Sequence, residues 1–244
     1  MNLETQKTVR ELALEIPGAT RVFEKMGIDY CCGGKRSLAD ACAIARVNFE
    51  EVELALTTIS PSPEQEPDFQ TATLEELINH VVRKHHSFTR LEIARLNALL
   101  EKVCVAHGDN HPELFKINLL FRELGADLEP HMAKEERVLF PYIVTMEAAA
   151  QQHLPLRRPP FGTVANPVRM MMLEHDLAGK LLKEMRELSS NYIPPDDGCI
   201  SYQTLYAAFE ALEKDLHQHI HLENNILFPR AVEMEQLAGT APVG

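Results

Sequence analysis

His131 and Glu135 stand four residues apart, and the same pair recurs as His219 and Glu223. The match continues through Leu139-Phe140-Pro141 and Leu227-Phe228-Pro229, with an offset of 88 residues at every matched position. Helical residues four apart are separated by about 40° around the axis and about 6 Å along it, so each imidazole and its carboxylate can reach one common site. Helical phase sends both pairs inward. His131 and Glu135 share a stripe with Ile117, Phe121, Leu124 and Leu128, and His219 and Glu223 share one with Phe209, Leu212, Leu216 and Ile226. A carboxylate buried there costs several kcal/mol or loses its charge unless it is compensated, and two facing each other cost more. A pair of polyvalent cations compensates both.

Two further histidines complete such a site. His175 is in phase with Val168, Met171, Ala178 and Leu182 on a third segment. His85 and His86 lie on a fourth, where only one can take the matching role, and the apolar residues Leu74, Leu77, Ile78 and Val81 centre nearer His85. The set is then four imidazoles and two carboxylates, with each glutamate able to bridge two cations and each cation taking two histidines. Zinc sites favour thiolates or only three or four ligands, so this nitrogen and oxygen set favours a redox-active pair, iron first and manganese second. Coordination positions remain open for an oxo bridge or a small ligand.

Four long helices must carry these residues. Thr73-Leu74-Glu75-Glu76 is a capping box that opens the first, to about Val105. The second runs from about Pro112 to Ala150, with a kink or break expected around Gly125, Pro130 and Pro141. Asn166 followed by Pro167 is expected to cap and open the third, through about Ser190, and the fourth spans about Tyr202 to Leu237. Short connections make this an all-α, antiparallel four-helix bundle. The 88-residue repeat makes it two copies of one helical hairpin, related by a pseudo-two-fold axis. Residues 60–72, with three prolines in an acidic stretch, are expected as a linker. They separate a small helical domain, residues 1–59, from the bundle, residues 73–244. In the small domain Thr8, Ser37 and Asn48 each precede a short helical pattern.

That small domain carries Asp29-Tyr30-Cys31-Cys32-Gly33-Gly34 and no histidine. Adjacent cysteines cannot close an ordinary disulfide without strain, and two glycines let the turn expose both sulfurs, so Cys31 and Cys32 are candidates for thiol chemistry or for holding a soft metal. Cys42, Cys104 and Cys199 have no evident partner and are expected to be structural. All eleven histidines lie between His80 and His221. Of those outside the six-ligand set, His217 and His221 fall far from the buried stripe of the fourth helix and are expected to face water.

Composition narrows the class. The chain has 244 residues, 45% hydrophobic, and a net charge of -12, which argues against nucleic-acid backbone or an anionic membrane as partner. No apolar run approaches a membrane span and the N-terminus has no signal pattern, so a cytoplasmic protein is expected.

Asp29 to Gly34, together with His86 and Arg90, His131 to Glu136, Glu174-His175-Asp176 and His219 to Asn225, resembles the iron-sulfur cluster repair di-iron proteins across nearly the whole chain. The resemblance implies a hemerythrin-like bundle holding two oxo-bridged irons, and it selects His86 over His85 as the ligand. It implies repair of iron-sulfur clusters damaged by nitrosative or oxidative stress, by supplying iron, with damaged iron-sulfur proteins as partners and nitric oxide or oxygen as small ligands. A homodimer is a further expectation, and conventional enzyme activity is not implied. Gly179 stands where oxygen-carrying hemerythrins have a second histidine, and Glu223 where they have a more distant aspartate, which argues against oxygen carriage. Two other functions are compatible with the same ligands: binding or reducing nitric oxide, and sensing oxygen or redox state.

Overall fold

Thr8, Ser37 and Asn48 each place a side-chain oxygen ahead of an apolar run, and each accepts a backbone N–H in the first turn of the helix that follows. The computed structural model describes residues 7–59, 69–156 and 159–239. The first stretch folds as α1 (Val9–Glu15), α2 (Ala19–Met26), α3 (Leu38–Ala45) and α4 (Phe49–Thr57). Val9, Leu12, Phe23, Leu38 and Val52 are fully buried in its core. No β-strand forms among the described residues, and no described helix is long and apolar enough to cross a membrane.

The bundle consists of four long helical runs, three of them interrupted by one π-helical turn. The first is α5 (Leu74–His80), π1 (Val81–His86) and α6 (Ser87–His107); the second is α7 (Glu113–Lys134), π2 (Glu135–Leu139) and α8 (Phe140–Gln151). The third is α9 (Ala165–Leu188), and the fourth is α10 (Ile200–Leu222), π3 (Glu223–Leu227) and α11 (Phe228–Gly239). One apolar layer, with Leu96, Phe121, Leu124 and Phe209, fills one end of the bundle. Another, with Leu74, Leu77, Phe140 and Phe228, fills the opposite end. The histidines and glutamates of the repeat fall between these layers.

The helix ends differ from expectation in instructive ways. α7 runs unbroken through Gly125 and Pro130. Gly125 instead permits close packing: a Cβ there would stand 3.1 Å from Ile93 Cγ2 of α6. The irregularity comes later, at π2, just before Pro141. Asn166 is not the cap of α9, which begins one residue earlier; the Val164 amide is held by the Glu235 carboxylate at 3.0 Å. The corresponding cap on α5 comes from Glu147, whose two oxygens accept Leu74 N–H at 2.7 Å and Glu75 N–H at 3.0 Å. Together with the Thr73 capping box, this satisfies all four opening amides of α5. Glu147 and Glu235 are themselves 88 residues apart, so the repeat extends to the caps. Removing such a partly buried carboxylate cap costs about 1–2 kcal/mol. Glu147→Ala should therefore lower the unfolding free energy measured in urea by that amount without changing the metal content of the protein.

Of the segment expected as a linker, residues 60–68 lie outside the described residues. Residues 69–72 lie against the bundle: Phe69 is buried there, and the Arg230 guanidinium donates to the Phe69 and Ala72 carbonyls. The small domain also docks on the bundle. Asn225 Nδ2 donates to the Tyr30 carbonyl at 3.1 Å, and Arg10 Nη2 donates to the Asn225 carbonyl at 2.9 Å. His217 and His221 do not face water. His221 is buried, with its ring 5.3 Å from that of Tyr30, and His217 Nδ1 lies 3.2 Å from Glu24 Oε1. Beyond its stripe on the bundle core, the fourth helix has a second buried face that only the docked domain creates.

Candidate metal centre

Three π-turns set the geometry of the site. A π-turn inserts one extra residue into a helix and shifts the phase of everything beyond it. His86 is the last residue of π1, Glu135 the first of π2 and Glu223 the first of π3. Upstream of π1 the apolar stripe points to His85, and the extra residue in the turn brings His86 to the centre instead. Both rings are fully buried. His85 Nδ1 lies 3.0 Å from Asp215 Oδ1, and its ring stacks on His219 with centroids 5.6 Å apart.

The six candidate ligands converge in two overlapping groups: His86, Glu135, His219 and Glu223, and His131, Glu135, His175 and Glu223. Within each group the ligand atoms lie within 4.8 Å of one another, and all six residues are buried. Both glutamates belong to both groups. Glu135 Oε2 is 3.4 Å from His86 Nε2 and 3.4 Å from His131 Nε2. Glu223 turns Oε1 toward His219 Nε2 and Oε2 toward His175 Nε2, each at 3.1 Å.

These contacts fit cations better than they fit protons. The Nε2 atoms of His86 and His219 are 3.1 Å apart, and those of His131 and His175 are 3.0 Å apart. Two nitrogens each about 2.1 Å from one ion, at a right angle, stand about 3.0 Å apart. Three of the Nδ1 atoms are committed elsewhere: His86 to Glu136 Oε1 at 2.7 Å, His131 to Glu174 Oε2 at 2.7 Å and His175 to Asn224 Oδ1 at 2.9 Å. An Nδ1–H donated outward leaves the Nε2 lone pair facing the centre, the tautomer that a metal requires. Both oxygens of Glu135 and Oε2 of Glu223 are buried with no hydrogen-bond donor.

The charges conflict when only protons are available. Burial and the neighbouring Glu223 push the Glu135 carboxyl up to about 7. Burial works against the Glu223 charge as well, yet His219, His175 and His86 hold that carboxyl well below the usual range. Burial opposes a charge on His86, but the two glutamates raise it to about 10, whereas burial and His175 lower His131 to about 4. Cations would remove the conflict by taking every carboxylate ionised and every imidazole neutral.

Sequence reasoning gave no role to Glu136, Glu174 or Asn224, which orient the histidines, nor to the His85 and Asp215 pair. Glu136 and Glu174 each sit one residue from a ligand, a signal visible only once the ligand positions are fixed. Cys31 and Cys32 pack against the bundle beside this site; the turn does not expose both sulfurs, because the docked bundle leaves Cys31 buried and Cys32 half-buried. Cys32 Sγ is 3.7 Å from the His175 carbonyl, and Asn224, the partner of His175, donates from Nδ2 to the Cys31 carbonyl at 3.5 Å. The two sulfurs are 3.8 Å apart and unbonded. The contact with Cys32, together with burial, pushes the Cys31 thiol well above its ordinary value. Cys42 and Cys104 are buried, and Cys199 is exposed at the start of α10.

Four antiparallel helices around a buried layer of imidazoles and shared carboxylates define a cation-binding bundle protein. Residues 77–231 match the hemerythrin HHE cation binding domain, and residues 5–60 match the ScdA_N domain of unknown function. The chain is 34% identical over 229 residues to the probable iron-sulfur cluster repair protein of Haemophilus influenzae, covering 93% of this chain and 97% of that one. It is 35% identical over 230 residues to the iron-sulfur cluster repair protein YtfE of Dickeya chrysanthemi, covering 94% and 98%. A YtfE of Escherichia coli is 35% identical over 225 residues, covering 92% and 96%. The chain belongs to the iron-sulfur cluster repair protein family.

Proposed function

We propose that this protein repairs damaged iron-sulfur clusters by supplying iron held in the bundle. The observation that carries the proposal is the sharing of Glu135 and Glu223 between two histidine pairs, a donor set suited to two ions side by side. His86, His131, Glu135, His175, His219 and Glu223 would hold an oxo-bridged iron pair. When bound, such a pair supplies a store that is gripped tightly as ferric ions and more weakly after reduction. The chain's own contribution is placement. Glu136, Glu174 and Asn224 fix the imidazole orientations, and the apolar layers at both ends of the bundle keep water from the ligands. The small domain, residues 1–59, closes the site on the side of His175, and Cys31 and Cys32 are positioned to meet iron that leaves there. The acceptors are iron-sulfur proteins with damaged clusters.

Metal analysis with Mössbauer spectroscopy on the purified protein should count two antiferromagnetically coupled irons per chain. The loaded protein should then restore activity to a cluster enzyme damaged by nitric oxide, and Cys31→Ser/Cys32→Ser protein should do so at least about tenfold more slowly with its iron content unchanged. Equal repair by a protein emptied of iron would refute iron supply.

A further inference from the structure

The turn that carries the paired cysteines holds a second set of cation donors, distinct from the bundle. Asp29 Oδ1 accepts the backbone N–H of Cys31 at 3.2 Å and of Cys32 at 2.9 Å. This curls the chain so that both thiols and the carboxylate fall on one side. The glycines permit the curl: a Cβ on Gly34 would stand 2.8 Å from the Tyr30 carbonyl oxygen, and one on Gly33 would stand 2.8 Å from Asp29 Oδ2. Ligand atoms of Asp29, Cys31 and Cys32 all lie within 4.8 Å of one another.

The separations discriminate among the uses of such a group. The sulfurs are 3.8 Å apart, against about 2.0 Å in a disulfide. Two thiolates each about 2.3 Å from a tetrahedral cation stand about 3.8 Å apart. Cys31 Sγ is 3.5 Å from Asp29 Oδ1; a thiolate and a carboxylate oxygen on one tetrahedral ion stand about 3.6 Å apart. One side of the group opens on a cavity of about 170 Å³, bounded by Met172 and Asp176 of α9, by Lys35 and by Asn224 and Asn225.

We propose that Asp29, Cys31 and Cys32 form a three-ligand site for a single thiophilic divalent cation, Zn²⁺ or Fe²⁺, with the fourth position open to this cavity. Two thiolates select such ions over Mg²⁺ or Ca²⁺. Two sulfur–metal bonds form as the two S–H protons pass to solvent, and no electron is transferred. The ion sits one residue's backbone away from His175. Its use, as a stop for iron between the bundle and an acceptor, rests on the repair function proposed above; its existence does not.

The test uses the full chain with the bundle iron in place, thiols reduced, without oxygen, and Co²⁺ as the probe. One equivalent should bind with a thiolate-to-cobalt charge-transfer band in the near ultraviolet and tetrahedral ligand-field bands in the visible, both displaced by Zn²⁺. Cys31→Ser/Cys32→Ser protein should lose the charge-transfer band, and Cys32→Ser alone, whose side chain is only partly buried, should lose at least half of its intensity. Asp29→Asn keeps an amide oxygen for the turn and should bind Co²⁺ at least tenfold more weakly. Absence of the band in the wild type, its persistence in the double variant, its undiminished intensity in Cys32→Ser, or an unchanged affinity in Asp29→Asn would overturn the site. Iron content and cluster repair measured on the same samples separate this outcome from failure of the repair function.

Discussion

A chain carrying Glu135→Gln/Glu223→Gln should fold, and should purify with less than about a tenth of the wild-type iron. The substitution keeps side-chain volume and replaces a charged oxygen with an amide NH2 that can donate to the neighbouring imidazole nitrogens, so the four helices retain their packing. Both glutamates are fully buried, and three of their four oxygens have no donor. In the empty protein the Glu135 carboxylate is a liability, because burial and repulsion from Glu223 resist its ionisation, whereas the surrounding imidazoles favour the charge on Glu223. Relief at Glu135 and loss of the imidazole contacts of Glu223 oppose each other, so the iron-free variant should lie close in stability to the iron-free wild type. The loaded wild type should exceed its own empty form by about 4 kcal/mol for each bound ion when iron is at a thousand times its dissociation constant, and this increment should vanish in the variant. Urea unfolding of both proteins, with and without iron, measures both quantities. A variant that kept its iron, or lost several kcal/mol while empty, would show that the carboxylates serve the fold and not a cation.

The ease of reading this site from sequence followed from the repeat. An offset of 88 residues tied His131 and Glu135 to His219 and Glu223 before any helix was placed, and helical phase then turned them inward. The same offset joins Glu147 to Glu235, which went unread because a capping carboxylate far along the chain has no local signature. Periodicity pointed to His85 for a definite reason: it assumes an unbroken α-helix, and π1 adds one residue before His86, which joins the candidate donor group. The fourth helix misled differently. Asn224, Asn225, His217 and His221 meet a second domain, and a pattern that assumes one buried face per helix assigns that face to water. The position of Cys31 and Cys32 against α9 was likewise illegible, because it depends on how two separately patterned segments dock.

The pseudo-two-fold axis relates the two half-sites without making them equal, and iron should leave them at different rates. Around His131 and His175 both Nδ1 atoms are anchored, by Glu174 at 2.7 Å and by Asn224 at 2.9 Å. Around His86 and His219 only the first is anchored, by Glu136 at 2.7 Å. His219 Nδ1 is buried with no partner, and His85 stacks on its ring where the other half-site has a carboxylate. A carboxylate behind a ligating histidine makes the ring a stronger donor and fixes its orientation, and losing one typically costs 10–100-fold in metal affinity. A ferrous chelator should therefore strip the reduced protein in two phases of equal amplitude, with the ion at His86 and His219 leaving first. Glu174→Ala should weaken the His131 and His175 half-site by about 10–100-fold and merge the phases, whereas Glu136→Ala should widen the gap. Release in a single phase from the wild type, unaltered by either substitution, would mean that the carboxylates behind the ligands do not set the order in which iron is given up.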